Sequence, residues 1–340
     1  MADRAGPVTP LIEPTPQQAT ERLFRAIDME KVLTIGSETP GHILYMIAKP
    51  LHVTPDDALY LVDEGIFLGK KFSPEGKLLT TYGNGEGNGP GEFRRPFHIS
   101  VRPDGKVLIN DTGRRKVSLF ENDGTFIKDI NVGKWRSDFV LPLDDAFIIN
   151  PLTDSPDLLT MLDYKGNELS AFGRLIEDQH LKGMSVRGTV AWSDLEQTVI
   201  QVGRYTGHIA AFTLEGELRY YVEAMGALGL PDIVFDSRYG ITVDHNYERN
   251  GDPYFGDWIL QAHGERLYVS VEYIDPGVLY VDVYDVRDGS YLYSFLRDYT
   301  NVIQLDCIPL FITDAYLYEN CVTYVNKWAY QLGEVISTTP

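Results

Sequence analysis

The chain has 340 residues, of which 30 are Lys or Arg and 49 are Asp or Glu, so its formal net charge is −19. The hydrophobic fraction of 44% and the charged fraction of 23% are ordinary for a folded protein, and this length allows two domains or one large all-β domain. An acidic chain without a Lys/Arg cluster repels phosphate, which argues against nucleic acid and against an anionic membrane surface as partners. No stretch approaches the roughly 18 consecutive apolar residues of a transmembrane helix.

The amino-terminal part of the chain differs in composition from the rest. Residues 1–16 contain four prolines and predict an extended, disordered leader. Residues 17–27 carry apolar side chains at helical spacing and predict a short helix. We therefore divide the sequence into a leader with a short helix, residues 1–29, and a single β domain, residues 30–340. The first residues lack the apolar segment of a secretory signal, which by itself indicates a cytoplasmic protein.

Beyond the leader, short predicted strands alternate with tight turns. The sequence holds 21 Tyr, 15 Phe and 4 Trp with 31 Gly and 19 Pro, a composition typical of strands and turns. The clearest unit, residues 87–133, contains four predicted strands, at 97–101, 107–110, 116–121 and 126–131. The same pattern recurs along the chain. The glycines in the last turn of four successive units are spaced 42 to 50 residues apart and are Gly76, Gly124, Gly166 and Gly216.

Units of four strands and about 40 to 50 residues are typical of β-propeller blades, which bury both faces only by packing radially around a channel. The fifth unit is longer, and we place its insertion at residues 244–258. Gly333 is predicted to form the last turn, before a separate strand at 334–337. Residues 32–36 resemble the end of a fourth strand and are predicted to complete the last blade from the opposite end of the chain. The predicted fold is an all-β, six-bladed propeller of four-stranded blades, closed by an N-terminal strand, with a short N-terminal helix.

One stretch of the second unit matches a known family. It consists of Gly89-Pro90-Gly91-Glu92-Phe93, followed by Pro96, Pro103-Asp104-Gly105, Asp111 and Phe120. This run resembles the NHL-repeat six-bladed propellers, and especially bacterial six-bladed propeller proteins, many of which are exported. The resemblance implies the fold and a periplasmic or cell-surface location, and it implies a structural role for Asp111 at the turn after the second strand. It does not set the function, because such propellers include lyases, lactonases, sensors and binding modules.

The sequence contains two cysteines, Cys307 and Cys321. If residues 313–315 form the loop of a hairpin and Ile312 faces Tyr316, the two cysteines lie opposite each other on adjacent strands. This geometry permits a disulfide, whose Cα atoms must lie within about 7 Å. The alternative is a pair of buried free thiols, separated by a register slip of one residue.

Two histidines, His52 and His98, occupy the same position in the first strands of neighbouring units. First strands line the channel of a propeller, so both imidazoles are expected near its mouth. Histidine titrates near neutral pH and binds metals, which makes the pair a candidate catalytic site. The alternative is a structural position that recurs with the repeat and packs between blades.

The insertion at residues 244–258 is both polar and aromatic. A Ca²⁺ or another divalent metal would be held there by Asp244, His245 and Asp252, and the alternative is a solvated polar loop. Four aromatic residues of the same loop suit contact with a glycan or a protein and are Tyr247, Tyr254, Phe255 and Trp258. The alternative for these four is a lid that packs against itself.

Five arginines fall near strand starts or turns and would make the channel positive inside an acidic shell; they are Arg94, Arg95, Arg136, Arg187 and Arg204. A positive channel attracts a carboxylate or phosphate group, and we select Arg136 and Arg187 as binding residues. The alternative is that the arginines are scattered over the surface.

The sequence contains no nucleophile elbow, phosphate-binding loop, zinc-protease motif or CxxC motif. This favours a non-enzymatic binding or scaffold propeller that presents a face of loops to a protein or glycan. The alternative is a metal-assisted hydrolase or lyase, similar to lactonases or streptogramin lyases, with His52 and His98 in the channel.

Overall fold

The computed structural model describes residues 3–4, 8–36, 43–48, 51–133, 135, 137–151, 155, 157–177, 186–230, 232–236, 240–244, 253–273, 278–297 and 307–337. Within these ranges the chain forms strands and no helix, so no helix there is long and apolar enough to cross a membrane. The all-β fold predicted from the sequence is therefore confirmed.

The strands that precede the first four-stranded sheet are β1 (Asp3–Arg4) and β2 (Phe24–Ile35). The first sheet contains β3 (His52–Val53), β4 (Leu59–Asp63), β5 (Leu68–Phe72) and β6 (Leu78–Tyr82). The second contains β7 (Pro96–Val101), β8 (Val107–Asp111), β9 (Lys116–Phe120) and β10 (Phe126–Asn131). The third contains β11 (Ser137–Pro142), β12 (Ala146–Pro151), β13 (Leu159–Asp163) and β14 (Glu168–Phe172). The fourth contains β15 (Gly188–Ser193), β16 (Thr198–Gly203), β17 (His208–Phe212) and β18 (Leu218–Glu223).

The remaining strands form a small sheet and a large one. The small sheet has the order β1-β19-β20, with β19 (Asp232–Asp236) and β20 (Gly240–Asp244). The large sheet has the order β21-β22-β23-β24-β2-β27-β26-β25. Its further strands are β21 (Pro253–His263), β22 (Arg266–Tyr273), β23 (Val278–Asp285), β24 (Tyr291–Arg297), β25 (Ile308–Ile312), β26 (Tyr316–Asn320) and β27 (Val325–Ser337).

The amino-terminal strand β2 lies in the middle of the large sheet. It runs antiparallel to β27 along its length, from the pair Phe24 and Ser337 to the pair Ile35 and Val325. It touches β24 in parallel only at Phe24 and Arg25. The large sheet is thus two antiparallel groups of four strands that meet at a two-residue seam.

Hydrophobic clusters connect the sheets in a circle. Tyr60 and Ile99 belong to a cluster between the first and second sheets, and similar clusters follow between each pair of successive groups. Another cluster packs Leu59 of the first sheet against Tyr318 and Val325 of the last group. Face-to-face packing that returns to its starting point is the arrangement a β-propeller requires.

Side-chain amides hold neighbouring sheets together. Asn110 at the end of β8 donates to the carbonyl of Ser137 at 2.6 Å, and Asn150 on β12 donates to the carbonyl of Gly188 at 2.7 Å. Asn320 at the end of β26 donates to the carbonyl of Ala48 at 3.2 Å, which connects the last group to the first sheet. Because all three amides are buried, each bond also satisfies a group that would be costly to leave unpaired.

Asp111 has the structural role that the resemblance implies. Its carboxylate accepts hydrogen bonds from the backbone N–H groups of Arg94 and Arg95, each at 2.9 Å, and of Gly113 at 3.1 Å. The acid therefore fastens the turn after β8 to the segment that begins the sheet. Asp63 does the same in the first sheet for the N–H group of Met46 at 3.1 Å.

The helix predicted at residues 17–27 is absent, and the second half of that segment belongs to β2. The apolar spacing that suggested a helix is also compatible with an extended chain. The backbone groups of β2 are satisfied by hydrogen bonds to β27, a partner that the local sequence does not indicate. Such pairing between distant segments overrides a weak helix propensity.

The described part of the predicted leader is attached to the sheets, contrary to the expectation of disorder. Leu11 donates its N–H to the carbonyl of Leu175 at 2.9 Å, and Thr15 donates to that of Tyr221 at 2.8 Å. Farther along, Arg22 forms an ion pair with the fully buried Asp282, with Nε 3.0 Å from Oδ1. The segment thus runs across the outer strands of the third, fourth and fifth groups before it becomes β2.

Two other local predictions are wrong. Gly333 does not form a turn, because it lies inside the 13-residue strand β27, and residues 334–337 are the end of that strand. Residues 253–258 are not part of a loop, since they belong to β21 and pair with β22 from the residue pair Pro253 and Tyr273 onward.

Candidate functional site

A cavity of about 2300 Å³ lies where the innermost strands converge. Residues of β3, β7, β11, β15, β21 and β25 form its wall, and each of these strands stands at the inner end of its group. The cavity is larger than the roughly 300 to 1000 Å³ typical of pockets for small molecules. It therefore has room for an oligomeric ligand.

The two ends of the cavity differ in charge. We call the end at the turns between first and second strands the turn end; its charged residues are Asp56, Asp57, Lys71, Arg102, Asp144, Asp145, Asp194, His263 and Asp314. The opposite end, where the innermost strands begin, we call the far end; its charged residues are Glu64, Arg95, Asp138, Arg187 and Arg204. Acids thus dominate the turn end, whereas arginines outnumber acids at the far end.

His52 and His98 both line the cavity. Desolvation by burial lowers the pKa of His52 to about 4. It lowers the pKa of His98 to about 3, with a smaller contribution from the nearby His52. Both imidazoles are therefore neutral at physiological pH.

The contacts of these histidines are those of packed side chains. The His52 ring lies 6.1 Å from the ring of Tyr60, and the His98 ring lies 5.5 Å from that of Phe139. The backbone N–H of Val140 donates to Nδ1 of His98 at 3.2 Å, which places the proton of the neutral ring on Nε2. A base whose conjugate acid has a pKa near 3 or 4 accepts protons poorly at neutral pH.

Aromatic rings form much of the cavity wall. Those that are partly exposed are Phe97, Phe139, Trp192, Tyr205, Phe311 and Tyr316. None of these rings was predicted to line the channel, although several stand on innermost strands, as the two histidines do. Applying the same argument to every residue of the predicted first strands would have found Phe97 and Trp192.

The predicted arginines separate into different places. Arg95, Arg187 and Arg204 line the far end of the cavity, and the backbone N–H of Arg204 donates to the carbonyl of Arg187 at 2.9 Å. Arg94 instead points outward and pairs with the exposed Glu86 at 3.2 Å. Arg136 lies outside the described residues. Arg95 also acts on Glu64, whose pKa is raised by burial and lowered again in part by this guanidinium.

The predicted metal and aromatic loop is not supported where it is described. Phe255 is fully buried, so its assignment to an exposed binding face is wrong; its β21 backbone pairs with Val271 of the next strand. Tyr254 and Trp258 stand on the same strand, and Asp244 ends β20. The other predicted residues of this loop, His245, Tyr247 and Asp252, lie outside the described part of the chain. Among the residues that the structure describes, no group of three or more His, Cys, Asp or Glu side chains is arranged to hold a metal.

Cys307 and Cys321 are joined by a disulfide, with their Cα atoms 3.9 Å apart. The register at the turn is one residue away from the prediction, because Ile312 pairs with Leu317. An irregularity between Pro309 and Phe311 shifts the pairing back, so that Ile308 faces Asn320. The cysteines, one residue farther along, therefore lie opposite each other.

No protein-family model matches the sequence, and no curated protein sequence matches it. Solved structures do resemble it. A Bacteroides fragilis protein, whose name calls it exported, is 12% identical, with a TM-score of 0.64 over 94% of this chain and 99% of its own. A member of the DUF4221 family from Bacteroides vulgatus is 10% identical, with a TM-score of 0.63 over 93% of this chain and 100% of its own.

A third similar structure is virginiamycin B lyase from Staphylococcus aureus, which is 8% identical, with a TM-score of 0.52 over 89% of this chain and 99% of its own. At these identities the likeness concerns the fold alone. Together with the four-stranded antiparallel sheets and their circular packing, it places this chain among the β-propellers.

Proposed function

We propose that this protein is a non-enzymatic, six-bladed β-propeller that binds a glycan in its central cavity. The observation that carries the proposal is the cavity wall, in which partly exposed aromatic rings alternate with carboxylates and arginines. Aromatic faces stack on the apolar faces of sugar rings, and the polar groups accept and donate hydrogen bonds to hydroxyls.

The count of six blades follows from dividing the large sheet at its seam. The group β21 to β24 makes one blade, and β25, β26, β27 and β2 make another, in addition to the four separate four-stranded sheets. In this interpretation the N-terminal strand β2 is the outer strand of the last blade and closes the ring. The NHL-like run of the second blade is in keeping with this number.

The cavity favours an elongated ligand over a flat protein surface. Its wall is built by six innermost strands rather than by a projecting loop, and the buried Phe255 removes one member of the predicted aromatic face. A glycan of several sugar units suits a concave space of this size better than a globular partner does.

Binding is favoured over catalysis by the state of the histidines. The lyase or hydrolase alternative needs an acid and base pair or a metal site in the channel. His52 and His98 do line the channel, but their low pKa values, near 4 and 3, and their packing against Tyr60 and Phe139 make them weak proton acceptors.

We further propose that the protein is exported. The disulfide between Cys307 and Cys321 suits an oxidising compartment, since such bonds are rare in the cytosol. The Bacteroides fragilis protein with the same fold, whose name calls it exported, adds support for this location.

The test of the function is a panel of neutral, acidic and amino sugar hexamers, with binding to the purified protein measured by calorimetry. The double variant Trp192→Ala with Phe139→Ala removes two rings from the wall and should weaken any hexamer that binds by about tenfold or more. Both rings are partly exposed but also pack against the core between the third and fourth sheets, so the melting temperature of the double variant is measured beside its affinity.

The matched control is Leu169→Ala, which removes a 55% exposed side chain from the outer strand β14, away from the cavity. It should leave affinity unchanged. Failure of every hexamer to bind, or equal affinity of the double variant and the unchanged protein, would contradict glycan binding in the cavity.

A further inference from the structure

We infer that the turn end of the cavity recognises positively charged amino groups, so that the glycan it binds is an amino sugar oligomer. This inference rests on the proposed function and specifies its ligand. It starts from the turn that joins the first and second strands of each blade. All six of these turns carry an acid, and the acids are Asp56 and Asp57, Asp104, Asp144 and Asp145, Asp194 and Glu196, Glu265, and Asp314.

Some of these acids are paired with a basic side chain and others are not. Asp57 forms an ion pair with Lys327, and Asp314 lies 3.1 Å from Nε2 of His263. Asp144, Asp145 and Asp194 are exposed and have no Lys, Arg or His within ion-pair distance in the ranges that the structure describes. These three carboxylates make the electrostatic potential at the turn end of the cavity negative.

The cations of the turn end are fewer than its acids. Arg102 pairs with Asp104 at 3.1 Å and places its guanidinium 4.1 Å from the ring centre of Tyr164. Lys71 donates to Oδ1 of Asn122 at 2.9 Å. Arg102 also donates from Nη2 to the backbone carbonyl of Asp144 at 2.7 Å, so it offsets part of the negative charge there. Lys71 and Arg102 are nevertheless only two cations against the six aspartates of the turn end.

A buried hydroxyl is the second, independent observation. Ser100 stands on β7, two residues before Arg102, and lines the same cavity. The residue is only 3% exposed, and its Oγ has no hydrogen-bond partner within the described parts of the chain. A buried polar atom without a partner is rare in native proteins, and a hydroxyl is a good acceptor for an ammonium N–H group.

The wall beside these acids suits the same ligand. Trp192 stands on β15 two residues before Asp194, and its Nε1 donates to that carboxylate at 2.7 Å. The bond holds the carboxylate at the edge of the indole ring, and a carboxylate and an aromatic face each attract a cation. The arginines of the far end repel a cation. An amino sugar oligomer should therefore bind with its ammonium groups at the turn end.

The test compares two hexamers of equal length, one of glucosamine and one of N-acetylglucosamine, by calorimetry at pH 6. The amino hexamer should bind about tenfold more tightly, and added NaCl should weaken it. The double variant Asp144→Asn with Asp145→Asn should reduce its affinity by about tenfold and leave the acetylated hexamer unaffected.

Two further variants make the test specific. Glu215→Gln with Glu217→Gln removes the same charge from an exposed turn between β17 and β18, where neither glutamate lines the cavity, and should change nothing. Ser100→Ala should weaken the amino hexamer without lowering the melting temperature, because the hydroxyl has no partner within the described residues.

The outcomes separate the inference from the function. Equal binding of the two hexamers, or an unaffected Asp144→Asn, Asp145→Asn variant, overturns the inference and leaves glycan binding standing. Failure of every sugar in the panel overturns the function itself. Binding of oligolysine but of no sugar, with the same sensitivity to the two Asp variants, overturns the amino sugar and points to a basic peptide.

Discussion

At the scale of single residues, burial decides the chemistry of the histidines. His208 is a third histidine whose pKa is lowered by burial, to about 4, as the pKa values of His52 and His98 are lowered. Its ring nitrogen Nδ1 lies 2.8 Å from the hydroxyl of Tyr221. A carbonyl or hydroxyl near a buried imidazole satisfies the neutral ring but does not replace the water that would stabilise its charge. The three rings therefore act as polar packing elements.

The lowered pKa values of these three histidines predict that the folded protein loses stability in mild acid. The unfolded chain protonates its histidines near pH 6.5, whereas the folded chain does so only near pH 4 for His52 and His208 and near pH 3 for His98. Stability is therefore present above pH 6.5 and falls as the pH drops towards 4. Each unit of pKa difference corresponds to about 1.4 kcal/mol, so the loss should reach several kcal/mol.

Urea unfolding at intervals between pH 7 and 5, where carboxylates remain mostly ionised, measures the effect. The variant His98→Asn retains an acceptor for the N–H of Val140 and should make the pH dependence shallower. Equal stability at pH 7 and pH 5 would show that the imidazoles are not held neutral by the fold.

At the scale of elements, strands within a repeat could be predicted, and the pairing of residues 33–35 with the last group was anticipated, but the extension of that strand back to Phe24 was not. Strand β10 was predicted with the bounds it has, Phe126–Asn131, because alternation and a turn glycine are local signals. The prediction of a helix at residues 17–27 was wrong, because residues 24–27 belong to β2 and the strand that pairs with β2 lies some three hundred residues away. Phe97 and Trp192 could have been selected from the predicted first strands, whereas Tyr205 and Tyr316 lie outside the innermost strands and join the cavity wall only in the assembled ring.

The attachment of the leader gives a prediction at this scale. Arg22 is 14% exposed and its partner Asp282 is fully buried, so Arg22→Met leaves an uncompensated carboxylate in the protein interior. The free energy of unfolding should fall by about 3 to 5 kcal/mol, measured by urea titration.

The control for the leader is Arg94→Met, which breaks the exposed ion pair with Glu86 and should cost less than about 1 kcal/mol. Adding Asp282→Leu to Arg22→Met should restore part of the lost stability, because it removes the buried carboxylate that has lost its partner. Similar small effects of Arg22→Met and Arg94→Met would mean that the leader is not anchored by this pair.

At the scale of the whole molecule, stability depends on the junction between the last group and the first sheet. Asn320 donates to the carbonyl of Ala48 across this junction, and the next residue, Cys321, is fixed to Cys307. The N–H of Ile47 also donates to the carbonyl of Val322 at 2.8 Å. The disulfide therefore holds the turn on which both cross-junction contacts depend.

Replacing both cysteines by serine should lower the free energy of unfolding by about 3 kcal/mol, the value expected for a loop of this length. Hydrogen exchange should accelerate at Ile47 and Ala48 more than in the second sheet, around Ile109. A reducing agent should reproduce both effects in the unchanged protein and do nothing to the serine variant. Uniform acceleration across the molecule would contradict a local role at the junction.

The pairing of β2 with β27 has a consequence for folding. The partner of β2 lies about three hundred residues farther along the chain, so this pairing closes a very long loop and should form late in folding. Yet Phe24 lies opposite Ser337, the geometry of two strands joined by a short turn. A gene permuted to place residues 24–35 after residue 337, joined by a two-residue turn such as Asn-Gly, would convert this long-range pairing into an ordinary hairpin.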